Sequence, residues 1–255
     1  KCSKNIMVIG GTGSGKTSFI NVMAFFIKPE ARIVTIEDTR ELALMHENWL
    51  PSVARAGMGS TGKGEITLFD LLRARFRQRP DYVIVGEVRG AEAYVLFQGM
   101  ASGHAGFGTM HAENVDTMIK RLESPPINLS PSLVETLDAV CVMTQARVKD
   151  KVVRKVSEVS EIVGVSEELG KANINTPFKW DPRSDTFMFK RDSKIFDKIA
   201  LKRGMTKEEI WKEYDRRVKL FVKMYQMGIV GFKEVHDIVS NYYKTPQRVI
   251  QQFGL

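Results

Sequence analysis

GGTGSGKT, residues Gly10–Thr17, is the stretch that decides the fold of this 255-residue chain. It fits the pattern G-x-x-x-x-G-K-[ST] of the phosphate-binding P-loop, whose glycines let backbone N–H groups turn inward around phosphate oxygens. The pattern requires a strand before the loop and a helix after it. The apolar run Asn5–Ile9 predicts that strand, and Thr17–Ile27 predicts that helix. The stretch therefore predicts a nucleotide phosphate site; the alternative is a glycine turn that only begins a helix.

Individual residues of the loop have predicted roles. The amino end of the helix adds partial positive charge, Lys16 would reach the β- and γ-phosphates, and Thr17 would hold Mg²⁺. We therefore expect ATP or ADP, with Mg²⁺, as the cofactors. The predicted nucleotide-binding residues are Gly10, Gly11, Thr12, Gly13, Ser14, Gly15, Lys16, Thr17 and Ser18.

Strands and helices alternate through the first half of the chain, which predicts an α/β fold with a mostly parallel sheet and helices on both faces. The four-residue apolar run Tyr82–Val85 is typical of a strand buried on both faces. Further predicted strands are Arg32–Ile36 and Gly106–Met110, and predicted helices are Leu68–Phe76 (capped by Thr67), Ala91–Ala101, Val115–Leu122 and one that begins at Pro131.

The pattern changes after Leu137. Ala139–Val148 and Val152–Val163 predict one hairpin, and Phe178–Phe189 predicts a second. The remainder is helical, with a capping box at Thr206-x-x-Glu209. We therefore predict an ATPase core over residues 1–165 and a β-hairpin and helical subdomain over residues 166–255. Because there is no initiator Met and the first strand follows within a few residues, we also expect that a preceding N-terminal domain is missing.

Composition favours an ordinary globular protein of a reducing compartment. Two cysteines form no disulfide framework, and no apolar run approaches the ~20 residues that span a bilayer. The formal net charge of +8 is spread along the chain. Two basic clusters stand out, and we interpret the second as solvated surface: Arg73, Arg75, Arg77 and Arg79, and then Arg147, Lys149, Lys151, Arg154 and Lys155.

Chemically useful side chains follow three predicted strands, at the sheet edge where ligands of parallel sheets bind. They are Glu37-Asp38, Glu87 and His111. Glu87 follows the apolar run, where it would orient the attacking water or hold Mg²⁺ through water. The alternative for Glu87 is a structural salt bridge to Arg89.

Metal ligation is predicted for Thr17, Glu37, Asp38 and Glu87, partly through water. Glu37 and Asp38 are adjacent and point opposite ways on an extended chain, so at most one of them faces the metal. Two histidines, His104 and His111, flank the strand Gly106–Met110. Since zinc needs more ligands than these, we expect His111 to contact the γ-phosphate and His104 to support the loop; the alternative for each is a structural histidine.

Four ordered motifs resemble those of the secretion ATPases, the hexameric motors of type II and type IV secretion, type IV pili and the archaellum. Beyond the P-loop they are TIEDTREL at 35–42, RARFRQRPDYVIVGEVRG at 73–90 and ASGHAGFGTMHAEN at 101–114. Family members carry an acidic "Asp box", a Walker B motif ending in Gly-Glu and a "His box". These correspond to Glu37-Asp38, Gly86-Glu87, and His104 with His111. The resemblance covers residues 5 to about 165, and the tail looks most like the archaeal branch.

The resemblance implies a RecA-like P-loop NTPase core, a homohexameric ring when the N-terminal domain is present, and catalysis by Glu87, Glu37, His111 and an arginine. Arginine fingers come partly from the N-terminal domain in this family, so this chain offers Arg73, Arg77 and Arg89, of which Arg77 is our choice. The implied partner is an integral membrane platform protein, and the implied location is the cytoplasmic face of the cell membrane. The chain lacks the four-cysteine zinc module of many bacterial relatives.

Three other functions are compatible with a P-loop ATPase core. The archaellum motor shares all four motifs with the pilus and secretion motors. A RecA-type nucleic-acid motor is suggested by the basic charge, but no loop interleaves aromatic and basic residues for stacking bases, so we expect no nucleic-acid partner. A small-molecule kinase would need a lid and an acceptor pocket.

Overall fold

The computed structural model describes residues 3–58, 63–166 and 171–255. Its strands are β1 (Ile6–Gly10), β2 (Ile33–Glu37), β3 (Trp49–Val53), β4 (Tyr82–Val85), β5 (Ala105–Met110), β6 (Ala139–Val148), β7 (Lys151–Ser166), β8 (Lys171–Asp181) and β9 (Thr186–Phe189). Its helices are α1 (Lys16–Ala24), α2 (Leu68–Phe76), α3 (Glu92–Ala101), α4 (Val115–Glu123), α5 (Pro131–Val134), α6 (Lys194–Arg203), α7 (Lys207–Gln226), α8 (Phe232–Lys244) and α9 (Pro246–Phe253).

The nine strands of the described residues belong to one sheet, in the order β3-β2-β4-β5-β1-β6-β7-β8-β9. The pairs from β3 to β6 are parallel, and the pairs from β6 to β9 are antiparallel. This arrangement confirms the predicted α/β class with its mostly parallel sheet. Because β1 is central, the P-loop leaves the sheet with parallel strands on both sides.

Alternate residues of the central strands feed two apolar clusters on opposite faces. Met7 and Ile9 of β1 pack with helices α2 to α5, whereas Val8 packs with α1 and the loop after β2. The period of two along β1 thus produces helices on both faces. Cys141 of β6 lies in the second cluster, and burial raises the pKa of its thiol to about 12, so it is an inert core residue.

Strand β3 is absent from the sequence prediction. It has the sequence WLPSV and forms the edge of the sheet beside β2. The sequence did not predict this strand because it contains Pro51, and proline usually indicates that a segment is not a strand. Proline is tolerated on an edge strand, where its missing N–H need not remove a hydrogen bond to a neighbouring strand. A side-chain hydrogen bond also joins β3 to β2, since the indole N–H of Trp49 donates to Thr35 Oγ1 at 3.0 Å.

The helical tail has a small core of its own, in which α7, α8 and α9 meet through Leu220, Met224, Tyr242, Val249 and Phe253. The predicted capping box forms at the start of α7, between Thr206 and Glu209. Strands β8 and β9 also lie within the predicted second subdomain, but they belong to the same sheet as the strands of the predicted core. The division at residues 165/166 stays a prediction.

Candidate nucleotide site

The P-loop leaves β1 at Gly10 and enters α1 at Lys16. A Cβ on Gly10 would lie 2.3 Å from the carbonyl oxygen of Met143 and 2.7 Å from Ser14 Oγ, so no larger residue fits there. Gly15 caps α1 in the left-handed region, with φ of 93°. The close approach of β6 and the left-handed cap together explain why these two positions are glycines.

Lys16 is folded into the loop that it ends. Its ammonium donates to the carbonyl oxygens of Gly10 and Gly11 at 3.0 and 2.9 Å, and its Nζ lies 3.5 Å from His111 Nδ1. Only 8% of the residue is exposed. Burial lowers the pKa of the Lys16 amine from its ordinary value, while the charge of Glu87 opposes that shift. A buried cation beside backbone N–H groups favours an anionic ligand.

Glu37 ends β2 and is 2% exposed. Its Oε1 accepts from the backbone N–H groups of Glu41 and Leu42, each at 2.9 Å. Its Oε2 is buried and has no hydrogen-bond partner among the described residues. A Cβ on Gly86 would lie 2.9 Å from Glu37 Cγ, so the glycine before Glu87 makes room for Glu37.

Glu87 sits between a histidine and an arginine. Its Oε1 lies 3.1 Å from His111 Nε2, and its Oε2 lies 3.0 Å from Arg89 Nη2. Arg89 also pairs with Asp38 at 2.9 Å. Asp38 is therefore held at the surface by Arg89 while Glu37 is buried, in line with the opposite orientations expected of adjacent residues.

Hydrogen bonds to backbone groups hold the segment 86–90, which follows β4 and carries Glu87. Thr109 Oγ1 donates to the carbonyl oxygen of Gly86 at 2.5 Å, which ties β5 to this segment. The carboxylate of Glu92 accepts from the N–H groups of Arg89 and Gly90 at 2.6 and 2.7 Å. Arg121 of α4 donates to the carbonyl oxygen of His111. These hydrogen bonds therefore fix the backbone of segment 86–90 and of His111 at the site.

One cavity of about 490 Å³ brings these groups together. Its lining includes Thr12, Gly13, Gly15, Lys16, Thr17, Ser18, Glu37, Asp38, Glu87, Arg89, Thr109 and His111. The three strand ends singled out in the sequence thus meet at the P-loop. Arg154 of β7 lines the same cavity and was missed, because its position in a basic run suggested solvated surface. The proximity of Arg154 to the P-loop follows from the pairing of β6 with β1, which the sequence alone did not indicate.

Arg77 and His104 lie elsewhere. Together with Arg73 and Phe76 they line a groove of about 640 Å³ near the carboxyl end of α3. His104 precedes β5 and its ring packs edge-on against Phe76, with centroids 5.0 Å apart. The structure therefore does not bring Arg77 or His104 to the P-loop of this chain. Within this chain Arg77 is therefore not placed to contact a nucleotide held at the P-loop.

The family model of the type II/IV secretion system protein matches residues 1–183. The uncharacterized protein MJ1287 of Methanocaldococcus jannaschii is 40% identical over 215 residues, covering 84% of this chain and 79% of that protein. The type IV secretion system protein PtlH of Bordetella pertussis is 34% identical over 174 residues, covering 62% of this chain and 50% of PtlH.

Two solved structures show the same fold. The VirB11 ATPase of the Brucella suis type IV secretion system has a TM-score of 0.51 at 29% identity, over 62% of this chain and 48% of VirB11. The pilus retraction motor PilT with bound ADP has a TM-score of 0.50 at 19% identity, over 92% of this chain and 61% of PilT. The chain thus spans about half the length of PtlH and of VirB11.

No helix within the described ranges has the length and apolar character needed to cross a membrane.

Proposed function

Because the chain belongs to the type II/IV secretion system protein family, we propose that it is the ATP-hydrolysing core of a motor that assembles type IV pilus-like filaments or drives protein secretion. The observation that carries the proposal is the contact of Glu87 with His111 and of His111 with Lys16, at 3.1 and 3.5 Å, in the cavity of the P-loop.

Binding of ATP and ADP is supported by the loop geometry. Gly15, Lys16 and Thr17, at the start of α1, line one cavity and can offer it backbone N–H groups, an ammonium and a hydroxyl. Charge-assisted hydrogen bonds of this kind are about twice as strong as neutral ones. In our proposal the Lys16 ammonium leaves the carbonyl oxygens of Gly10 and Gly11 for the phosphate oxygens.

Hydrolysis is assigned to the carboxylate of Glu87. It would accept a hydrogen bond from the attacking water and orient it toward the γ-phosphorus. His111 holds Glu87 from one side and Arg89 holds it from the other, so its carboxylate has a fixed direction. Since His111 also lies beside Lys16, it is placed to sense whether the γ-phosphate is present.

The site also fits Mg²⁺, because the buried Oε2 of Glu37 has no hydrogen-bond partner among residues 3–58, 63–166 and 171–255. Thr17 would hold the ion with the phosphate oxygens, and Glu37 would reach it directly or through water. Asp38 is engaged by Arg89. An ion held by Thr17 and Glu37 would supply charge neutralisation to the phosphates of the nucleotide.

A homohexameric ring and a membrane-embedded partner complete the proposal. The relatives PtlH and VirB11 are named for type IV secretion systems. The groove with Arg73 and Arg77 lies away from the P-loop of this chain, which suits arginines that act on a neighbouring subunit. We propose that the protein works at the cytoplasmic face of the membrane through a platform protein. The alternative function within the same family is that of an archaellum motor.

Glu87→Gln tests the proposal, since it keeps the shape of the side chain and removes its charge. We expect ATP affinity to persist and turnover to fall by about 10²- to 10⁴-fold, the range for a lost acid/base group. The matched control is Glu113→Gln, which removes the same charge from an exposed residue two positions after His111. Native turnover in Glu87→Gln, or equal losses in both variants, would refute the assignment.

A further inference from the structure

The hairpin of β6 and β7 lies beside the P-loop. Met143 of β6 pairs with Gly10, the last residue of β1. Strand β6 continues for five more residues, Thr144–Val148, and β7 returns antiparallel with Arg154 opposite Gln145. The hairpin therefore extends past the end of β1, to the level of the phosphate-binding loop.

Arg154 crosses from this hairpin to the loop. Its Nε donates to the carbonyl oxygen of Gly13 at 2.8 Å. Its Cδ lies 3.2 Å from the position that a Cβ on Gly15 would occupy. The side chain thus runs along the P-loop backbone, and Arg154 lines the same cavity as Lys16 and Thr17.

The charge of Arg154 has no acidic partner within residues 3–58, 63–166 and 171–255. Its hydrogen bond to Gly13 uses only Nε, and a guanidinium carries five N–H donors. The carboxylates of Glu87 and Asp38 pair with Arg89. Arg154 therefore adds to the cavity a positive charge without a salt-bridge partner among the described residues, and the lining also includes the cation of Lys16 and the acids Glu37 and Glu41.

The position of Arg154 in the sheet indicates which phosphates it faces. Glu87 and His111 follow β4 and β5, on one side of β1, whereas Arg154 belongs to β7, on the other side. Water activation by Glu87 requires the γ-phosphate on the β5 side. We propose that Arg154 is a phosphate-binding residue that contacts the non-transferred phosphates shared by ATP and ADP. This inference rests on the proposed function of the same site.

A matched pair of variants separates the charge of Arg154 from its hydrogen bond to Gly13. Arg154→Gln retains an N–H donor and loses the charge, whereas Arg154→Lys retains the charge with a similar reach. Arg147→Gln is the control, because it removes one charge from an exposed residue of the same hairpin. Calorimetric titration of ADP and ATP into each variant of the 255-residue chain gives the affinities, and melting curves check the folding.

We expect Arg154→Gln to weaken ADP and ATP by a similar factor of about ten, Arg154→Lys to recover much of that loss, and Arg147→Gln to change either affinity less than twofold. In steady-state assays the effect falls on the KM for ATP more than on kcat. Unchanged affinity in Arg154→Gln, a loss confined to ATP, or a loss that Arg154→Lys shares in full would overturn the inference. Failure of the unmodified chain to bind either nucleotide would instead overturn the proposed function.

Discussion

The two ends of strand β5 carry one histidine each, in very different surroundings. His111, at the carboxyl end, lies between Glu87 and Lys16 in the cavity of the P-loop. His104, before the amino end, packs against Phe76 in a groove lined by Arg73 and Arg77, and its buried Nδ1 has no hydrogen-bond partner among the described residues. Both ends therefore combine a histidine with basic groups, but only the carboxyl end also has the P-loop and a carboxylate, that of Glu87, in contact with its histidine.

The separation follows from strand geometry. A strand rises about 3.3 Å per residue, so the seven residue steps from His104 to His111, on either side of β5, place the two histidines roughly 23 Å apart. No nucleotide held at the P-loop by its phosphates brings its γ-phosphate to both. Two histidines that are close together in one sequence motif therefore lie at two separate sites of the molecule.

The largest expected difference between the two ends is in ATP turnover. His111→Asn removes the ring that contacts Glu87 and Lys16, so we expect hydrolysis to fall by about 10²-fold, the lower end for such groups. His104→Asn should change it by less than about threefold. Turnover measured at saturating ATP, alongside melting temperatures, tests the pair. Similar losses in both variants, or a loss in His111→Asn that tracks its melting temperature, would remove the distinction.

A smaller effect, on stability, is expected at the amino end. A Cβ on Gly99 of α3 would lie 2.0 Å from the ring of Phe76, which must then move within the groove. Gly99→Ala should lower the free energy of unfolding by about 1 kcal/mol, since overpacking outweighs the gain in helix propensity. Urea unfolding and ADP titration provide the two readouts. Loss of ADP affinity without loss of stability would connect this groove to the nucleotide site.

A third histidine, away from both ends of β5, gives the smallest effect. His46 is 7% exposed, packs against His236 of α8, and its pKa is lowered by burial. Because the unfolded chain then binds a proton more readily than the folded one, stability falls as the pH drops through the ordinary histidine pKa of 6.5. His46→Gln should lower the dependence of melting temperature on pH between 7.5 and 5.5 by a few degrees. An unchanged dependence would show that His46 titrates normally.

Much of the fold was predictable because local signals agree with the global arrangement. The run YVIV matches β4, and the caps at Thr67 and Thr206 begin α2 and α7 as expected. The acids and His111 were predictable because parallel strands bring their carboxyl ends to one edge. Strand β3 was hidden by Pro51, which only its edge position allows.

The rest of the site depends on contacts distant in sequence. Arg154 is 141 positions from Gly13 and reaches it only because β6 pairs beside β1. The resemblance grouped His104 with His111, whereas the length of β5 separates them. Sequence patterns thus indicate residue types and strand ends, and pairing between distant strands decides which of them meet.

Lys16 gives the most direct test of the central claim that nucleotide binds at the carboxyl edge of the sheet. We expect the unmodified chain to bind ADP with Mg²⁺ in a calorimetric titration and Lys16→Ala to bind it about 100-fold more weakly, because the variant lacks the cation that meets the phosphates. Arg77→Ala, which removes a cation from the groove at the other end of β5, should bind like the unmodified chain. Undiminished binding by Lys16→Ala, or a comparable loss in Arg77→Ala, would contradict the account.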